Sequence, residues 1–300
     1  MNWITCTKNH IKSVYSFLEA EEPYSISCIT RIKRETIHNN FAAGSLCMAL
    51  INEIKNDACS DIFSGTNMHI CGILYYSTAH MLYPVFSHDM VNKLGDTSNR
   101  LLREIQNFSN SIEGVIGKSS DVHTLDRYIP QARVILAYDF MIHTDSGIQE
   151  TGMSLDNEVQ LEVRRATIDD LQELTAIEAA YQKEEVLTPI HEFNLALCRA
   201  NQQYALLHVP VYVALYQHKI IARAQINGIG SKYEQIGGVF VKSDFRRMHA
   251  GSAVMVALMN DIRSRGKVPC LYVKKTNIPA IQLYKKLGFS TLDRFSIVYQ

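Results

Sequence analysis

Three hundred residues, 47% hydrophobic and 20% charged, supply one large domain or two of ordinary size with ample core. Net charge is zero and no window holds eighteen uncharged apolar residues, so neither a nucleic-acid surface nor a membrane-spanning helix is expected. Seven cysteines stand singly with no C-x-x-C pair, which argues against a disulfide framework and against a zinc site. The first residues lack a charged leader followed by an apolar run, and a cytoplasmic location is expected. Charge is uneven: residues 1–157 hold 12 Lys and Arg against 17 Asp and Glu, and residues 158–300 hold 18 against 13. The basic C-terminal half suits a small polyanion, and opposite charges also suit association of two domains.

The spacing of Ile11, Val14, Tyr15, Phe17 and Leu18 predicts a helix over 10–20. A mixed polar stretch follows to Gly44, then an apolar helix or strand within 42–56. Residues 69–76 and 80–86 read as paired strands across Ser77-Thr78-Ala79. A helix is expected over 99–107, a strand over 111–117, a helix over 119–128 and a strand over 131–142. His69, His80, His88 and His123 have no metal-ligand spacing and read as ordinary core or surface histidines. Residues 143–158 carry loop formers without periodicity and read as a linker. This divides the chain into a mixed α/β domain at 1–150 and a second domain at 158–300.

The second domain opens with a strand at 161–166 and a helix that Thr167 can cap, with Asp169 and Asp170 in its first turn. Another helix is expected over 193–202. Strands at 209–216 and 219–226 form a hairpin at Gln217-His218. An apolar strand then reaches Val239, Phe240 and Val241. A turn carrying Arg246 and Arg247 leads through Met248 and His249 into Ala250, Gly251, Ser252 and Ala253, which start a long helix. Helix-start amides with small side chains form an anion site, and the arginines add bidentate donors suited to a diphosphate. A solvated arginine pair at a helix start is the plain alternative. A strand at 268–273 follows. Asn277 or Thr276 can cap the next helix, which contains Tyr284 and ends at Gly288, and a strand at 294–299 closes the chain.

Over about residues 160–300 these elements resemble the GNAT N-acetyltransferase superfamily. Three segments carry the resemblance. Val163-Arg164-Arg165-Ala166-Thr167-x-x-Asp170-Leu171 is similar to its first strand and helix. Val239-x-Val241-x-x-x-x-Arg246-x-x-x-x-Gly251-Ser252-Ala253 is similar to its acyl-CoA motif, R/Q-x-x-G-x-G/A. Asn277-x-x-Ala280-x-x-x-Tyr284-x-x-x-Gly288-Phe289 is similar to its closing motif.

The resemblance implies an α/β (α+β) fold with a mixed central sheet flanked by helices, and acetyl-CoA or another acyl-CoA as co-substrate without a metal. Backbone groups of Val239, Phe240 and Val241 would pair with the pantetheine arm, and amides from Arg247 through Ala253 would hold the pyrophosphate. Asn277 would contact the pantetheine region, and Tyr284 would protonate the departing thiolate. One residue departs from the motif: His249 occupies the first glycine position, so its ring is expected to turn outward or against a phosphate.

The general base is open. Glu184 and Glu185 follow the first helix, Glu185 being the candidate taken forward, and Glu234 in the central strand is another; exposed acids at a helix end are the alternative for the first pair. The N-terminal domain is expected to be a degenerate copy of the same fold, or a related α/β lid that shapes acceptor specificity. Residues 111–128 faintly echo the cofactor stretch. The function expected is transfer of an acetyl group to a primary amine on a small molecule or peptide, by direct attack. A non-catalytic acyl-CoA sensor or scaffold is the alternative. A transferase using charged tRNA is disfavoured by the near-neutral charge. The amine and the oligomeric state stay open, a homo-oligomer being compatible with the sequence.

Overall fold

A computed structural model describes residues 1–36, 40–52, 69–90, 101, 103–105, 107, 112–126, 133–144, 160–190 and 192–300. The chain's contacts cluster into two units: Met1–Tyr138 with Asp293–Gln300, and Asp139–Leu292. Of the linker expected at 143–158, His143 instead ends a strand and residues 145–158 lie outside the described residues, as does much of the expected 99–107 helix.

In the first unit, β1 (Asn2–Thr5), β2 (Leu46–Asn52), β3 (His69–Tyr76) and β4 (Met81–Phe86) form an antiparallel series, and β5 (Gly114–Lys118) joins β4 in parallel. The sixth strand comes from the far end of the chain, Phe295–Tyr299, antiparallel to β5. Strands β2 to β4 are buried along nearly their whole length because side chains pack on both faces. Val14, Leu18, Ile29 and Ile32 cover one; Leu101, Ile105 and Val122 cover the other. This explains their continuous apolar runs, and why the period alone left 42–56 ambiguous between helix and strand.

Helix α1 (Ile11–Ala20) lies where its spacing indicates. Helix α2 (Ile26–Glu35) falls in the stretch read as mixed and polar: Ile26, Ile29 and Ile32 form its buried stripe, but its first half, Ile26-Ser27-Cys28-Ile29-Thr30, is made of residues of weak helical preference. The helix expected over 119–128 is one short turn, α3 (Ser119–His123).

The second unit repeats this plan. It takes Asp139–His143 from β6 (Val134–His143), then β7 (Glu162–Arg165), α4 (Leu171–Tyr181), α5 (Leu195–His208), β8 (Val211–Tyr216), β9 (Lys219–Ile229) and β10 (Tyr233–Val241). Helix α6 (Ala250–Ser264), β11 (Val268–Lys274), α7 (Ile278–Lys286) and the start of β12 (Phe289–Tyr299) complete it. Strands β7 to β10 are antiparallel neighbours, β11 joins β10 in parallel, and β6 lies beside β11. Among the described residues each unit thus lays five strands in chain order, antiparallel three times and parallel once. Each takes its sixth strand from the other half of the chain. In this correspondence β4 matches β10 and β5 matches β11. The echo read at residues 111–128 therefore falls on the wrong strand: its counterpart is β11 with α7, not β10 with α6.

Local chemistry in the second unit follows the sequence closely. Asp170 accepts from the Thr167 amide (2.8 Å) and takes Arg164 bidentately at 2.7 and 2.8 Å, closing the first turn before α4. Its carboxyl is held below the usual range by Arg164 foremost. Gln217 and His218 both have positive φ, the geometry of a two-residue hairpin turn. Helix α6 buries Val254, Met255, Leu258, Met259 and Ile262, a stripe that contributes on the order of 10 kcal/mol.

Candidate functional site: a parted strand edge, a left-handed loop and a buried tyrosine

Along β10 burial alternates residue by residue, so the strand has one face in the core and one partly open. Its parallel register with β11 runs from Tyr233↔Val268 to Ile236↔Leu271 and ends there. On the other side β9 follows β10 as far as Val241↔Ala222, with an irregularity between Gly237 and Phe240. Gly238 has φ +57° at this bulge, and a Cβ there would come within 2.2 Å of the Arg223 guanidinium. From Gly237 to Val241 the β11-facing edge of β10 is therefore the one place where an extended chain could add to the strand.

Beyond β10, Arg246 is extended (φ −68°, ψ 153°), Arg247 is left-handed (φ 68°) and His249 is left-handed again (φ 59°, ψ 6°). Alternating signs of φ turn successive amides inward to form a concave anion cradle. The first α6 amide bonded within the helix is Ala253, to His249 O at 3.0 Å, which leaves the amides before it directed out of the helix end. Gly251 sits in contact distance of neighbours: a Cβ there would meet Val241 Cγ2 at 3.3 Å and Leu283 Cδ2 at 3.6 Å.

The His249 backbone explains why its motif position prefers glycine. The ring is exposed, as expected from the sequence, but the left-handed conformation strains a residue with a Cβ by about 1–2 kcal/mol. His249→Gly relieves this at an entropic cost of about 0.5–1 kcal/mol. A net gain near 0.5–1 kcal/mol is expected, read as a higher thermal midpoint.

Charged groups surround the cradle. Arg246 pairs with Glu184 at 2.5 Å, both about half exposed, and its guanidinium lies 5.8 Å from the Phe240 ring centre. Such an open pair is worth no more than about 1 kcal/mol and yields readily to a phosphate. Lys242 pairs with Glu173 at 3.3 Å, and Arg247 is exposed.

At the inner end, Tyr284 of α7 is buried and its ring lies 6.1 Å from Phe289. Burial pushes its phenol well above the usual range, and the nearby Tyr181 and Glu185 push it further. Tyr181, at the end of α4, is pushed up to about 12 by burial, with Arg223 opposing. Asn277 caps α7 through Oδ1, which accepts from the Ala280 amide at 3.2 Å. Its Nδ2 donates to Glu185 Oε1 at 3.2 Å. The Lys274 ammonium donates to the Glu185 carbonyl, fixing the π-helical turn Gln182–Val186 that carries Glu184 and Glu185. Tyr284, Glu185 and Asn277 thus share one neighbourhood. Glu234 does not: it begins β10, buried against Arg265 at 2.6 Å, where α6 ends.

The sequence reading missed the polar core beneath the bulge. Arg223 is fully buried; it donates to Gly238 O at 3.0 Å and to Gln202 Oε1, pairs with Glu178 at 2.5 Å, and stands 5.7 Å from the Tyr181 ring. One signal was visible: a lone charge inside the apolar strand Ile220-Ile221-Ala222-Arg223-Ala224. Among the described residues no group of three or more His, Cys, Asp or Glu could hold a metal ion, and no helix is long and apolar enough to cross a membrane.

Residues 215–297 match the FR47-like protein family. Over the whole chain the fold is similar to that of a GNAT-family acetyltransferase from Colwellia psychrerythraea, at 11% identity, 100% of this chain, 99% of that chain and a TM-score of 0.60. It is equally similar to a tandem GNAT protein from the clavulanic acid biosynthesis pathway, at 11% identity, 99% and 97% coverage and a TM-score of 0.60. A Drosophila protein aligns at 10% identity over 99% and 97%, with a TM-score of 0.56. No curated protein matches the sequence. The chain has the fold of a tandem GNAT protein, with an FR47-like domain at residues 215–297.

Proposed function

We propose that the second unit is an acetyl-CoA-dependent N-acetyltransferase acting on a primary amine. The observation that carries this reading is a coincidence in space. The free edge of β10 at Val239–Val241 leads at one end to the cradle of Arg246 through Ala253, and Tyr284, Asn277 and Glu185 gather close by. The first suits an extended pantetheine arm, the second a diphosphate, and the third a thioester.

Acetyl-CoA supplies the thioester carbonyl and a thiolate leaving group. The amine nitrogen attacks the carbonyl carbon, an N–C bond forms, and the C–S bond breaks with its electron pair on sulfur. Tyr284, kept protonated by burial, gives its proton to that sulfur. Glu185, oriented by Asn277 and open to solvent on one side, takes the proton from the amine through water. In the first unit the strand corresponding to β10 is β4, which has no glycine where β10 has Gly237 and Gly238, so the cofactor chemistry is assigned to the second unit.

Thiol release from acetyl-CoA with a panel of amines, alongside calorimetric titration of acetyl-CoA, tests the proposal. Micromolar binding and amine-dependent thiol release are expected. Absence of binding at millimolar acetyl-CoA overturns it.

A further inference from the structure

The polar residues under the bulge form a ladder. Arg223, Gln225 and Asn227 alternate along β9 and run from buried through half-buried to exposed. Their side chains lie over the two glycines of β10. A Cβ on Gly237 would come within 2.0 Å of Asn227 Nδ2, and one on Gly238 would meet Arg223 and, at 3.4 Å, Gln225 Cγ. The ladder therefore spans the stretch of β10 where β11 parts from it, next to Val239. Here the amine would arrive.

The chemistry of this surface is specific. Arg223 is engaged by Glu178, Gln202 and Gly238 O, so its charge is met from within. What is left is amide. Gln225 donates from Nε2 to Asn227 Oδ1 at 2.8 Å, while its Oε1 is buried with no partner among the described residues. Gln202 is buried too; its Oε1 serves Arg223, and its Nε2 has no partner among the described residues. Gln202 reaches this face through its bond with Arg223, and Gln225 lies beside Arg223 over Gly238. An unpaired buried amide atom costs folding free energy, and an acceptor and a donor without net charge complement an amide.

We infer that this ladder selects amines flanked by an uncharged amide, such as a peptide N-terminus or an aminoacyl amide, over free amino acids. The inference rests on the transferase reading above. A free carboxylate would lie against Gln225 Oε1 with the Arg223 charge already neutralised, so it is rejected rather than held.

The test uses the full chain with acetyl-CoA and matched sets of amino-acid amide, methyl ester and free acid across several side chains. The ester shares the amide's neutrality but lacks its N–H. The amide is expected to exceed both partners at least tenfold in kcat/KM. Gln225→Met should collapse that ratio by raising the acceptor KM, with acetyl-CoA affinity unchanged. A purely structural glutamine would move stability but not the ratio. Equal use of amide and ester, or a ratio preserved in Gln225→Met, overturns the inference and leaves the transferase reading standing. Acetyl-CoA binding without transfer to any amine overturns both.

Discussion

Tyr284→Phe is expected to slow acetyl transfer by about 10²- to 10⁴-fold, the range supplied by a positioned general acid, while acetyl-CoA still binds within about twofold. The substitution removes only a hydroxyl, and the ring keeps its place against Phe289, 6.1 Å away. The folded-state pKa is raised, chiefly by burial. The sign follows: the phenol stays protonated through neutral and mildly alkaline pH and is lost as a donor only above the usual tyrosine range. Turnover in the parent chain should therefore show no tyrosine-dependent fall below about pH 10. Steady-state thiol release and calorimetry on the same preparations separate chemistry from binding. Turnover equal to that of the parent would remove Tyr284 from the reaction.

The sequence carried the parts of this site that depend on local rules. Asn277 was legible as a cap, Thr167 with Asp170 as a first turn, and Gln217-His218 as a hairpin, because each is decided within four residues. The His249 departure was legible as an oddity, but its left-handed backbone was not, since φ is imposed by the turn connecting β10 to α6. Three things depended on distance along the chain. Glu234 and Glu185 look alike in sequence, yet one is spent on Arg265 and the other meets Asn277. The echo at residues 111–128 matched on composition, whereas strand order assigns its correspondence to β11. Residues 293–300 read as the close of the second domain, but their contacts place them with the first 138 residues. Strand pairing between distant segments leaves no periodic trace in either one.

Arg223 tests whether the bulge is held for stability or for function. Arg223→Met leaves the Glu178 carboxylate, 13% exposed, without its 2.5 Å partner and strips the donors from Gly238 O and Gln202. Breaking a buried pair on one side costs about 3–5 kcal/mol, a large share of the 5–15 kcal/mol typical of a domain. Denaturant midpoints should fall accordingly. Replacing both partners, Arg223→Met with Glu178→Met, removes the uncompensated charge, and stability should return to within about 1–2 kcal/mol of the parent. The double variant then isolates geometry from stability. Gly238 would keep its left-handed φ but lose the guanidinium that fixes its carbonyl, and the edge of β10 beside it would be free to relax toward β11. Acetyl transfer in the double variant should therefore stay reduced at least tenfold although the fold is restored, because a catalytic edge misplaced by a fraction of an ångström loses orientation before it loses structure. Full activity in a stable double variant would mean that the ion pair serves only to fill the core.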